Sequence, residues 1–119
     1  MADGIDELLR GVAPDVEKEV RARLSGLFGG IVRSLLPQAW VFTTDRGTAT
    51  LQVGADGTAR VVPGAAPHPD VTIEVGYQRL HAALTSRDRS KVPPGPLTVA
   101  PHTAKGRTAF DYLRGRLGL

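Results

Sequence analysis

In most of residues 39 to 75 the chain alternates apolar and polar positions with a period of two, and before that stretch the period is close to that of an α-helix. Val16, Val20, Leu24, Leu27, Phe28, Ile31 and Leu35 are spaced by 4, 4, 3, 1, 3 and 4 residues, one face of a helix that begins at Pro14 and stops before Pro37. A shorter helix over Asp3–Gly11, with Ile5, Leu8 and Leu9 on one side, is expected to precede it. Gly26, Gly29 and Gly30 interrupt the long stripe. Each costs about 1 kcal/mol relative to alanine inside a helix, so either something approaches the backbone closely there or the helix breaks near Gly29 and restarts.

The segments AWVFTT, TATLQV and TARVV follow, joined by DRG and ADGT. Asp-Gly between alternating segments is a strong hairpin signal, so three consecutive strands form a meander. In DVTIEVGYQRLHAAL the period changes within one segment: Val71, Ile73 and Val75 alternate as in a strand. Tyr77, Leu80, Ala83 and Leu84 then share a helical stripe, with Gln78, Arg79 and His81 turned outward. After the basic, proline-rich SRDRSKVPPGP comes a short fifth strand, PLTVA, and a last helix over Ala104–Leu117 with Phe110, Leu113 and Leu117 on one stripe. The order predicts a single α+β domain across residues 1–119: a five-stranded, mostly antiparallel sheet covered by helices on one face.

Charge is unevenly distributed. Residues 1–38 carry five basic and six acidic side chains, residues 39–78 two and four, and residues 79–119 eight and two. Such a basic end suits either a solvated face or an anionic partner, and Lys105, Arg107, Arg114 and Arg116 are the candidate contacts with a phosphate or an anionic membrane surface. It lacks the interleaved aromatics of a single-strand binder, so no nucleic-acid partner is expected. The absence of cysteine excludes disulfides and thiolate chemistry. MADGIDELLR has no basic segment followed by an apolar run and no apolar stretch approaches ~18 residues, so a cytoplasmic protein is expected.

Catalytic signals are sparse. His68, His81 and His102 show no metal-ligand spacing, and no nucleophile elbow, phosphate loop or dinucleotide fingerprint is present. No cofactor is expected.

The strand beginning at Trp40 after a long helix, the Asp56-Gly57 hairpin, the aspartate-led strand and helix DVTIEVGYQRLHAAL, and GPLTVA before a terminal helix resemble the sterol carrier protein type two domain family over about residues 14 to 118. Two stretches depart from the family pattern: APHTAKGRT replaces a short glycine-containing turn, and SRDRSKVPP lacks the usual glycine. The resemblance implies an apolar tunnel between sheet and helices for a sterol, fatty acid, acyl thioester, phospholipid or isoprenoid. Its expected walls are Phe28, Ile31, Leu35, Trp40, Phe42, Leu51, Ile73, Leu80, Leu84, Phe110 and Leu113. The same residues could simply fill a core. Binding without catalysis is the leading expectation, because enclosing roughly ten methylenes offers about 8 kcal/mol before association costs and needs no polar constellation. The alternative is a small cyclase or isomerase acting on an apolar intermediate, with Tyr77, Asp70 and His81 as acid/base candidates. Monomer and homodimer are both compatible with the pattern.

Overall fold

A computed structural model describes residues 4–26, 29–85 and 97–113. The elements run α1 (Ile5–Leu24), α2 (Gly29–Ser34), β1 (Gln38–Thr44), β2 (Gly47–Val53), β3 (Ala59–Pro63), β4 (Val71–Val75), α3 (Tyr77–Thr85), β5 (Leu97–Pro101) and α4 (Ala104–Leu113). The five strands form one sheet in the order β3-β2-β1-β4-β5. All neighbours are antiparallel except β1 and β4, which are parallel, so the sheet is mixed but mostly antiparallel.

Register decides which side of the sheet is apolar. Trp40 stands opposite Leu51 on one flank and Val71 on the other, and Phe42 opposite Ala49 and Ile73. The period of two therefore puts Trp40, Phe42, Ala49, Leu51, Val71, Ile73 and Val75 on one face, and all are buried. Against it α1 crosses β2 and β3, while α4 covers β4 and β5. The opposite face is largely polar, with Gln52, Arg60, Thr72 and Glu74 at alternating positions. Because β3 is an edge strand and β4 lies beyond β1, the chain from Gly64 to Pro69 has to cross that outer face. Thr50 pins the crossing, donating its hydroxyl to the Gly64 carbonyl at 2.8 Å and accepting the Ala66 N–H at 3.0 Å.

The N-terminal helices differ from the sequence expectation in two respects. A single helix α1 runs through Pro14, where two helices meeting at that residue were expected. The apolar stripe explains the continuity: Ile5, Leu8, Leu9, Val12, Ala13 and Val16 keep one helical face across the proline and all pack into or against the core. Pro14 and Arg10 are exposed, so the carbonyl that loses its N–H partner faces water. The helix then ends at Leu24, so one helix reaching Leu35 is not formed and the break near Gly29 is. Gly29 is required at that break, because a Cβ there would collide with the Leu24 carbonyl oxygen.

Local chemistry explains the abrupt strand-to-helix junction after β4. Asp45, in the β1–β2 turn, accepts the Tyr77 N–H at 2.7 Å and so satisfies a free donor of the first turn of α3. That N–H holds the Asp45 carboxyl below the usual carboxylate range. Leu80 and Ala83 are buried and Gln78 and His81 exposed, as the stripe requires, whereas Arg79, also expected to turn outward, is half-buried. In the β2–β3 hairpin, Gly57 adopts φ 88° and the Thr58 N–H bonds to Asp56, which lowers that carboxyl's pKa. Phe28 and the segment SRDRSKVPPGP lie outside the described residues, as do Arg114 and Arg116 and the side chains of Leu84 and Leu113.

Candidate functional site

An apolar cavity of about 140 Å³ lies between the helices and the inner face of the sheet. Its helical wall is the α1 stripe, Leu9, Val12, Val16 and Val20, joined by Val32, Leu35 and Leu36 from α2 and the turn after it. Its sheet wall is Trp40, Phe42, Leu51 and Val53, and Ala109 of α4 closes one side. The glycine-marked break makes this space possible. A helix continuing straight from Leu24 could not bring Val32 and Leu35 back toward Trp40.

Polar groups occur only at the margins. Glu19 and Arg23, one helical turn apart, form an ion pair in which Nε and Nη2 of Arg23 both reach Oε1, at 3.2 and 2.9 Å. At another edge the buried amide of Gln38 is fully engaged. Its Oε1 accepts the Trp40 indole N–H at 2.9 Å, and its Nε2 donates to the carbonyls of Leu35 at 2.6 Å and Lys105 at 3.1 Å. One amide thus ties β1 to the end of α2 and to α4 while fixing the indole that forms part of the wall. The Trp40 ring also packs against Phe110, with centroids 5.8 Å apart.

Leu35, Trp40, Phe42 and Leu51, four of the expected wall residues, line this cavity together. Ile73 and Leu80 are fully buried in the core beside it, and Phe110 sits behind Trp40. Ile31 is 60% exposed, because the break after α1 turns that position of α2 toward solvent. Sequence reasoning did not single out Leu9, Val12, Val53, Ala109 or Gln38 as wall residues. Leu9 and Val53 carried a signal in their apolar periodicity. Nothing marked Gln38, whose role depends on contacts with carbonyls 3 and 67 residues away.

The acid/base candidates are placed elsewhere. Tyr77 lies under the guanidinium of Arg46, 4.4 Å from the ring centroid, and packs beside His81 at 5.9 Å. Asp70 is buried as a structural staple: Oδ2 accepts the Ala39 N–H at 2.9 Å, Oδ1 accepts the Thr103 hydroxyl at 2.8 Å, and Lys105 Nζ stands 3.7 Å from Oδ1. Its backbone is held as well, by its N–H on the Ala39 carbonyl and its carbonyl on the His102 N–H. Gly106 fits against that carbonyl with no room for a Cβ, which seats α4 directly on the start of β4. Of the candidate anion contacts, Arg107 is exposed, whereas Lys105 donates to the Pro37 carbonyl at 2.6 Å.

No family model matches the chain, and no curated protein does. Solved structures do. The solution structure of sterol carrier protein domain 2 of Helicoverpa armigera aligns with TM-score 0.54 and 13% identity, covering 94% of this chain and 90% of that one. The solution structure of a conserved hypothetical protein from Thermus thermophilus, described as possibly a sterol carrier protein, aligns with TM-score 0.53 and 15% identity, covering 99% and 86%. The chain therefore has a sterol-carrier-like α+β fold.

Proposed function

We propose that this protein binds an apolar or amphipathic small molecule non-covalently, with an apolar part of the ligand in the cavity between α1 and the sheet. The observation that carries this reading is the cavity itself: a space of about 140 Å³ walled mainly by aliphatic and aromatic side chains between the helices and the sheet. Dry voids of about this size, lined by Leu, Ile and Phe, are known to take up benzene. The sterol-carrier-like fold supports the same reading, and a fatty acid, acyl thioester, phospholipid, isoprenoid or sterol has a part that would enter.

Size narrows how such a ligand sits. At ~30 Å³ per methylene-sized group, the void admits about four or five of them, worth about 4 kcal/mol of gross transfer energy. Association alone costs roughly that much or more. A tight ligand must therefore make contacts beyond the void, and a sterol would require α2 to move away from α1.

Trp40 is the single tryptophan of the chain and part of the wall, so it reports occupancy directly. Titration with a nitroxide-labelled stearate is expected to quench its fluorescence saturably at one equivalent, with recovery on adding unlabelled oleate. Quenching no greater than that of free N-acetyltryptophanamide would overturn the proposal.

A further inference from the structure

Beyond Gln38 and Val53, which belong to both walls, the apolar cavity gives way to a second recess of about 680 Å³ whose character is opposite. Its charged and titratable side chains come from separate parts of the fold. Arg60 is on β3, His68 on the crossing between β3 and β4, Asp70 at the start of β4, Lys105 in the first turn of α4, and Asp56 in the β2–β3 turn. The fold accounts for Asp56, Asp70 and one bond of Lys105, and neither it nor the proposed cavity function accounts for Arg60 and His68.

The hydrogen bonds separate groups with a structural task from groups without one. Both carboxylates are occupied: Asp56 holds the Thr58 N–H, with the positive charge of Arg21 nearby, and Asp70 holds the Ala39 N–H and the Thr103 hydroxyl. Lys105 uses one of its three donors on the Pro37 carbonyl. Arg60 and His68 are exposed and make no hydrogen bond or ion pair among the described residues. The recess therefore has carboxylates engaged in structural bonds and cationic or N–H donors to spare on three of its walls. Arg60 adds the planar fork that matches two oxygens of a tetrahedral oxyanion. A recess of this size has room for a phosphate ester with its substituents as well as for a free oxyanion. The formal charges of Arg60 and Lys105 are offset by Asp56 and Asp70, so recognition would rest on directed hydrogen bonds more than on net field, and free phosphate should bind weakly.

We infer that this recess is a binding site for a phosphate-class oxyanion held by Arg60, His68 and Lys105. The oxyanion is either free or the head of an amphiphile whose tail occupies the cavity on the other side of Gln38. The second form rests on the proposed cavity function; the first does not.

The test uses the full chain, with inorganic phosphate, decanol and decyl phosphate as probes. In ¹H–¹⁵N spectra, inorganic phosphate is expected to shift the Arg60, His68 and Lys105 amides saturably. The Arg60→Gln/His68→Gln double variant, which alters two exposed side chains with no structural bond, should weaken that binding about tenfold. Decyl phosphate binding at least tenfold more tightly than decanol in wild type, with the advantage lost in the double variant, identifies an amphiphile's head. Saturable phosphate binding without that advantage identifies a free-phosphate site. If neither inorganic phosphate nor decyl phosphate shifts these amides, or if the double variant responds like wild type, the inference is overturned. Decanol quenching or shifting Trp40 in that case leaves the cavity reading intact; a phosphate response without any decanol response removes the cavity reading and keeps the recess.

Discussion

Asp70→Ala is expected to lower the free energy of unfolding by about 3 kcal/mol, which corresponds to roughly 10 °C in Tm for a domain of this size. The magnitude follows from what is left behind. The Ala39 N–H and the Thr103 hydroxyl each lose their acceptor in a partly buried setting, at about 1–2 kcal/mol apiece, and Lys105 loses the carboxylate it stands beside. These partners belong to β1, to the start of α4 and to its first turn, so the change loosens the junction on which α4 is seated. Asp70→Asn keeps one carbonyl acceptor and presents an amide where the second oxygen was, so an intermediate loss is expected. Urea unfolding monitored by Trp40 fluorescence measures both. A loss under about 1 kcal/mol for the alanine variant would mean that the staple is not holding α4 to the sheet.

Ala109→Phe should separate ligand binding from stability. The alanine is buried on α4 and faces the cavity, and a phenyl ring is close to the size of the void. Adding apolar bulk to a packed core strains it, but adding it to a void of matching size restores missing contacts. The variant is expected to be as stable as wild type or more stable by about 1 kcal/mol, while its affinity for an apolar chain falls at least tenfold. Fluorescence titration beside thermal unfolding reads the two effects. Unchanged affinity would place the ligand elsewhere; lost affinity with a large loss of stability would show only that the core had been disrupted.

The parts of this architecture that were legible in the sequence are those set by local chemistry. The hairpin at Asp56-Gly57 needed a residue tolerant of φ 88°, and glycine announced it. The change of period at Gly76 marked β4 and α3, and the alternation put Trp40 and Phe42 on one face of β1 and Ala49, Leu51 and Val53 on one face of β2, which the register brings to the same side. The helix ends were less readable, because Pro14 is a breaker by propensity and is overruled by a continuous apolar face that packs on the sheet. Gly29 was legible both as a point of close approach and as a break in the helix, and the structure shows both at once, since the atom it avoids is the carbonyl of Leu24. Whether apolar residues leave a void depends on how helices lean on a sheet. Ile73 and Leu80 went to solid core and Val12 and Val53 to the cavity wall, although all four are apolar positions of regular elements. The polar recess was not legible at all, because Arg60, His68 and Lys105 meet only through the crossing of Gly64–Pro69 and the seating of α4.

The most direct measurement is a filtered NOESY experiment on ¹³C-labelled protein with unlabelled decanol. A chain lying between α1 and the sheet will show intermolecular contacts to the methyl groups of Leu9, Val16 and Leu51 together, residues of α1 and β2 that face each other across the cavity. Contacts confined to Ile31 and Val62, the large apolar side chains exposed on the outside among the described residues, would show that the ligand only coats the surface and would contradict an internal binding site.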